Sequence, residues 1–507
     1  MEDFLDRLNA PQRLAVETLE GPLLVLAGAG SGKTRVVTYR IVNLLKHGIP
    51  AKNILGLTFT NKAAQEMRNR VQDMSNSDVL ISTFHSLGSR ILRHSIDLLG
   101  FRRDYTLYDD EDSNKLLRSC CLELGFGEEK STVKLMKSFI SGLKNHPLVL
   151  FKDNLSRNSE YEVFNLYQRK LKEYNAVDFD DLLLLPVRIF FEFPDTLEHY
   201  QNRWQYLLID EYQDTNEAQY LLIKYLTEKT QNLCVVGDPD QSIYSWRGAQ
   251  IQNIINFEQD FPGALVVPLE QNYRSRSNIL EVANSLISHN ESRHEKKLWS
   301  DRGDGPGIKQ FIGYNDKEEA DFVASCLTYH HEHDKLPWNQ MVVFYRTHAQ
   351  SRIFEDFFYS RRVPYVIVGG LSFYQRREVK DILAYLKIVY SGSDFIAFSR
   401  TINLPKRGLG DVTLEKIRQG ATEEELSILD FCHALVKNAP LKTPLKLSAK
   451  QKLNLAGYLQ MIQELREGYT TGSLRELVLC TIAKCDYFNY LKEDPESFED
   501  RKANLDS

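Results

Sequence analysis

The eight residues AGAGSGKT, Ala27 to Thr34, stand between an apolar run, PLLVLAG, and a stretch with helical periodicity, KTRVVTYRIVNLLKHG. Val37, Ile41, Leu44 and Leu45 fall on one helical face, and Gly48 is placed to cap it. The order is therefore strand, tight turn, helix. The turn Ala27, Gly28, Ala29, Gly30, Ser31, Gly32 lets backbone N–H groups close around a phosphate, and the helix N-terminus adds a favourable dipole. Lys33 is set to reach the outer phosphates of a nucleotide and the Thr34 hydroxyl to hold Mg²⁺. Such loops usually open on glycine. Here Ala27 takes that place, in an otherwise fitting strand–loop–helix context.

Five more short apolar runs follow: NILGLTFT, VLISTFH, YLLIDE, LCVVGD and ALVVPLE. Each ends in polar residues, and helical stretches separate most of them. This alternation predicts an α/β fold with a parallel sheet covered on both faces, whose ligands sit at the C-terminal strand ends. At one such end Asp210 can hold a metal, and its neighbour Glu211 can take a proton from an attacking water. Phosphoryl transfer also needs cations on the γ-phosphate. Arg274, after the next strand, is the first candidate and Arg35 the second. Cradle, metal and base together describe a site that hydrolyses a nucleoside triphosphate.

The loop GDPDQSIYSWRGA, Gly237 to Ala249, begins like the phosphate-facing loops but continues into Tyr244, Trp246 and Arg247. With Phe59, these aromatics lie at or just beyond strand ends, where packing needs them least. Exposed rings beside cations hold single-stranded nucleic acid by stacking on bases and tracking phosphates.

The whole set resembles the UvrD/PcrA/Rep branch of superfamily 1 DNA helicases. The resemblance rests on LNAPQR, AGAGSGKTR, TFTNKAAQEM, TFHSLG, NAVDFDDLL, LIDEYQDTN, VVGDPDQSIYSWRGA, LEQNYRS, YRTHAQSR, IVGGLSFYQRREVKD and NLPKRGLG. They run in family order from Leu8 to Gly410, about four-fifths of the chain. The resemblance implies RecA-like P-loop NTPase domains with helical insertion domains, and a 3′→5′ helicase or single-strand translocase using ATP and Mg²⁺ in repair or replication restart. It implies that Gln12 reads the adenine edge, Tyr273 stacks on the base, Arg274 contacts the γ-phosphate and Gln241 senses it. It also implies that Phe59, Asn61, His85, Phe179, Tyr244, Trp246, Arg247, Arg346 and Lys380 touch single-stranded DNA. His348 stands where the family usually has Asn.

The expected organisation is a first ATPase domain at 1–100 and 177–275, interrupted by a helical insertion at 101–176 that is rich in lysine (Lys130, Lys134, Lys137, Lys144). A second α/β region is expected at 276–384, with strands at GIKQFIG, MVVFYR and YVIVGG, and a second helical insertion at 385–507. The family's late motifs, TxHxAKGLE and YVAxTRA, do not occur in this sequence. A fragment or truncated relative is therefore expected, one that hydrolyses ATP poorly and does not unwind. The alternative is a nucleotide- and DNA-binding module without productive unwinding. A recombination helicase–nuclease is disfavoured, since no acidic nuclease cluster is evident.

The remaining features restrict partners. The net charge of -6 argues only weakly against nucleic acid, because binding depends on where cations cluster. The stretch DLLLLPVRIFF is broken by Pro186 and Arg188 and is too short for a bilayer. Seven scattered cysteines without a CxxC fit reduced thiols in a cytoplasm. The run HHEHD at His330 reads as a solvated helix end rather than a metal site. The expected partners are single-stranded DNA and single-strand/duplex junctions, met by a monomer away from membranes.

Overall fold

In the computed structural model the described residues are 4–127, 129–151, 159–290, 296–368, 376–443, 445–469 and 473–492, with 498, 501, 502 and 505 beyond them. They divide into two compact units, Met1–Gly305 with Tyr385–Leu477, and Pro306–Ala384 with Val478–Ser507.

All six apolar runs of the first unit form strands of one parallel sheet. They are β1 (Leu23–Ala27), β2 (Ile54–Thr58), β3 (Leu80–Thr83), β6 (Tyr206–Ile209), β7 (Leu233–Gly237) and β8 (Leu265–Leu269), in the order β3-β2-β6-β7-β1-β8. The runs are almost continuously apolar because both faces are covered. Leu24, Leu26, Leu55, Leu57, Leu207, Ile209, Leu233 and Val235 enter one core layer. Leu23, Val25, Ala27, Ile54, Leu208, Cys234 and Val236 enter the other. Helices α1 (Ala10–Glu17), α2 (Lys33–Lys46) and α3 (Asn61–Ser75) cover the second layer through residues such as Val16, Val37, Ile41, Met67 and Val71. Helix α4 (Phe84–Ser95) and the helices Asp181–Glu192 and Glu217–Thr227 cover the first.

One crossing in that first layer is unusually close. A Cβ on Gly88, in the middle of α4, would lie 1.8 Å from the carbonyl oxygen of Leu182. Replacing glycine by alanine inside a helix ordinarily gains about 1 kcal/mol. Here the clash is with backbone and cannot be relieved by a rotamer, so overpacking costing about 1–3 kcal/mol or more wins. Gly88→Ala should lower the melting temperature; a rise would show that the two helices are free to part.

The expected helical insertion starts and ends on a feature the sequence did not suggest. Two short strands, β4 (Thr106–Leu107) and β5 (Ala176–Val177), pair in parallel and bring its ends together. Between them α5 (Asp110–Glu123), α6 (Lys130–Asn145) and the helix Ser159–Glu173 bury Leu116, Cys120, Val133, Met136, Ile140, Val163 and Tyr167. Ile396 from the helix Phe395–Thr401 joins that core. Tyr108 donates to buried Asp394, and Lys387 pairs with Asp112.

The second unit departs from expectation. Its helices Asp316–Glu332 and Ser351–Ser360 pack through Ala320, Ala324, Phe354 and Phe358. The segments expected as strands form none among the described residues; Gly369 and Gly370 lie outside them. A strand gains its hydrogen bonds only from a neighbour. With no ladder formed, Ile312, Val342, Phe344, Val366 and Val368 remain exposed. His330 Nδ1 lies 2.6 Å from Asp334, and His331 stacks on Trp338, at the exposed end of the first of these helices. No helix among the described residues is long and apolar enough to cross a membrane.

Candidate functional site

The glycine turn joins β1 to α2. Gly32 caps α2 at φ 93, a left-handed conformation that a side chain would strain, and a Cβ there would lie 2.8 Å from Gln12 Nε2. Lys33 is nearly buried. Its Nζ lies 2.7 Å from Glu211 Oε2 and 3.3 Å from Gln241 Oε1. One cation thus ties the ends of β1, β6 and β7 together. Glu211 itself sits at φ 55, a sparsely populated conformation for a residue with a side chain and one that clusters at functional sites.

Asp210 is buried at the end of β6. Burial pushes its carboxyl up to about 7, the neighbouring Glu211 adds to this, and Lys33 and the Thr34 hydroxyl hydrogen bond pull it back. Thr34 and Asp210 therefore already meet as a pair of hard oxygen donors. That chemistry suits Mg²⁺, which takes oxygen ligands and keeps several waters. Asp214 is also raised, to about 6, by burial and Glu211.

Residues near the N-terminus and after β8 close around the glycine turn. Asn9 and Gln12 form a capping box at the start of α1. Gln12 is fully buried and donates from Nε2 to the Ser31 carbonyl, 2.8 Å away in the glycine turn. Its amide therefore braces the loop as well as lining it. Asn9 donates to Tyr273 Oη at 2.9 Å, and the Tyr273 N–H donates to the Gly30 carbonyl at 2.9 Å. The Tyr273 ring stays exposed. Arg274 follows it, exposed and close to Gly30, its backbone N–H held by Asn272. Arg35 is exposed on the first turn of α2.

The proposed stacking residues collect near the same strand ends. Phe59 follows β2 and packs edge-on against Phe84, with Asn61 exposed at the start of α3. His85 stacks on Phe179 with ring centroids 3.8 Å apart, and Phe179 is 56% exposed. Burial pushes the His85 imidazole down to about 4, so the stack is between two uncharged rings near neutral pH. Tyr244 and Trp246 lie 6.4 Å apart on the loop after β7, Trp246 being 63% exposed, and Arg247 ends the turn Ser245–Arg247. Arg346 and Lys380 belong to the second unit, where Arg346 is exposed and Lys380 half-buried.

Residues 8–262 match the UvrD/REP helicase N-terminal domain, and residues 267–476 match the UvrD-like helicase C-terminal domain. The chain belongs to the UvrD/REP helicase family. It is 40% identical over 518 residues to the ATP-dependent DNA helicase PcrA of Staphylococcus epidermidis, and 40% identical over 516 residues to that of Staphylococcus aureus. Each alignment takes in 100% of this chain and 70% of the relative.

Two residues of this UvrD/REP-family site escaped the sequence reading. Gln213 donates to Glu211 Oε2 at 2.9 Å and accepts from the Asp238 N–H at 2.9 Å, joining the ends of β6 and β7. Lys296 is nearly buried and pairs with Asp238 and, at 2.8 Å, with Asp240. Gln213 could have been found from its place beside the paired acids. Nothing in sequence placed Lys296, which is 56 residues or more from its partners along the chain.

Proposed function

We propose that the chain is an ATP-dependent motor that moves 3′→5′ along single-stranded DNA and opens single-strand/duplex junctions, acting as a cytoplasmic monomer in DNA repair or replication restart. The observation that carries this reading is the Lys33–Glu211–Gln241 link, because Gln241 stands three residues before the exposed ring of Tyr244. The domain division expected from sequence is part of the proposal.

Lys33 is committed to Glu211 and Gln241. An arriving γ-phosphate competes for that ammonium. Glu211 is then freed to take the proton of a water attacking the γ-phosphorus, with ADP leaving on the opposite side. Thr34 and Asp210 would hold Mg²⁺, which supplies charge neutralisation on the phosphates. Arg274 and Arg35 would donate to the γ-phosphate, Gln12 and Tyr273 would hold the adenine, and the backbone from Ala27 to Gly32 would cradle the phosphates. Gln241, released from Lys33, shifts the loop that carries Tyr244, Trp246 and Arg247. The grip on DNA at these residues and at Phe59, Asn61, His85 and Phe179 changes with it, and Arg346 and Lys380 would contribute DNA contacts of the second unit.

A binding module without productive unwinding is the second reading. It is favoured by the second unit, whose expected strands form no sheet among the described residues. Strand displacement from duplexes with 3′ or 5′ tails, beside ATP turnover with and without single-stranded DNA, separates the readings. The motor stimulates its turnover on DNA and opens only the 3′-tailed duplex. Opening of the 5′-tailed duplex overturns the polarity, and binding of both ligands without turnover leaves the module.

A further inference from the structure

Three consecutive residues at the end of α6, Lys144, Asn145 and His146, leave the helical insertion and enter the ATPase core. Lys144 is 0% exposed at its side chain. Its Nζ lies 2.6 Å from Asp178 Oδ2 and 2.8 Å from Asp181 Oδ1. Those two aspartates already close a reciprocal turn, since the Asp178 N–H donates to Asp181 Oδ2 at 3.1 Å and the Asp181 N–H to Asp178 Oδ1 at 3.0 Å. Tyr167, also from the insertion, donates to Asp178 at 3.0 Å. The residue carried at the tip of this turn is Phe179, the ring stacked on His85.

The next two residues reach elsewhere. Asn145 donates to Asp180 at 3.3 Å and accepts from Asn216, the capping residue of the helix Glu217–Thr227. His146 Nδ1 lies 2.8 Å from Glu217 Oε2 and 3.2 Å from Gln250 Nε2. Gln250 directly follows the Tyr244–Trp246 loop, and its N–H donates to the Thr215 carbonyl at 2.9 Å. One helix end therefore touches the Phe179 turn, the segment after Glu211 and the far end of the loop that carries Gln241.

We infer that Lys144–His146 is a positioning element for the grip on single-stranded DNA. It fixes the spacing between the Phe179 stack and the Tyr244–Trp246 loop, so that a displacement of the helical insertion is felt at both. This rests on the reading of those rings as DNA contacts. The physical ground is the cost of breaking a buried ion cluster. Removing the lysine leaves two desolvated carboxyl groups facing each other, which must take up protons or open the turn to water, and either breaks the cluster that holds the turn.

The test is a double-mutant cycle between Lys144→Met and Phe179→Ala in the full chain. Affinity for a fluorescent oligothymidylate is read by anisotropy, with DNA-free ATP turnover alongside. Lys144→Met should weaken DNA binding by up to the roughly 5- to 150-fold that one stacked ring contributes, with DNA-free turnover within about twofold of the parent. On the Phe179→Ala background it should add almost nothing, because the Lys144 ammonium holds the Phe179 turn, while Asn145 and His146 hold the segments beside the other loop. Additive losses overturn the inference, as does unchanged affinity in Lys144→Met where Phe179→Ala weakens binding. No effect of Phe179→Ala itself overturns instead the DNA-contact reading of that loop. Should Lys144→Met fail to fold, Asn145→Ala enters the same cycle against Trp246→Ala, with non-additivity again expected and additivity again decisive against.

Discussion

Glu211→Gln should bind ATP about as well as the parent chain and turn it over roughly 10²- to 10⁴-fold more slowly, the range a positioned general base supplies. The substitution keeps the shape of the side chain. A glutamine oxygen can still accept from Lys33 and from Gln213, which hold Glu211 at 2.7 Å and 2.9 Å. The strained backbone at φ 55 is therefore kept as well. What is lost is the capacity to take a proton. Nucleotide binding read by a fluorescent analogue, beside single-turnover hydrolysis, separates the two effects. Turnover at the parental rate would remove Glu211 as the base and shift attention to Asp214, whose carboxyl is raised to about 6.

Trp246→Ala should weaken binding to single-stranded DNA by about 1–3 kcal/mol, the contribution of one base–aromatic stack. The ring is mostly exposed and lies 6.4 Å from Tyr244, so its removal opens no cavity in the core. The loss in DNA affinity should therefore exceed any loss in thermal stability or in DNA-free hydrolysis. A titration with short oligonucleotides, paired with a melting curve, decides it. An equal fall in all three quantities identifies a structural tryptophan.

Much of the first unit was legible in the sequence because its elements are self-contained signals. Each apolar run of four or five residues ends in a polar cluster, and a sheet covered on both faces leaves little choice of where such a run can go. The glycine turn between β1 and α2 was legible for the same reason, as was the place of Asp210 and Glu211 at the end of β6. The second unit shows the limit of that signal. GIKQFIG and MVVFYR carry strand-like residues, but strand propensity measures fit to a pleated, half-buried surface, and no such surface is formed there among the described residues. Long-range pairing was hidden altogether. Lys144 reads in sequence as one more lysine of an amphipathic insertion, spaced helically after Lys130, Lys134 and Lys137. Only the fold reveals that α6 ends against the Asp178–Asp181 turn. Lys296 was missed on the same account, since an ion pair between distant segments leaves no local pattern.

The contact of Gly88 with the Leu182 carbonyl has a consequence beyond stability. Gly88 stands one turn after His85, and Leu182 stands three residues after Phe179. His85 lies on one of these helices and Phe179 in the turn that leads into the other, so the two stacked rings, 3.8 Å apart, flank a crossing whose separation is set by main-chain atoms in direct contact. Side chains can change rotamer and let neighbours drift, whereas main chain cannot. The crossing therefore fixes the spacing of the two elements that bear His85 and Phe179, the rings proposed to meet DNA. Sequence drift elsewhere in the core could alter how firmly this domain holds together without altering that spacing.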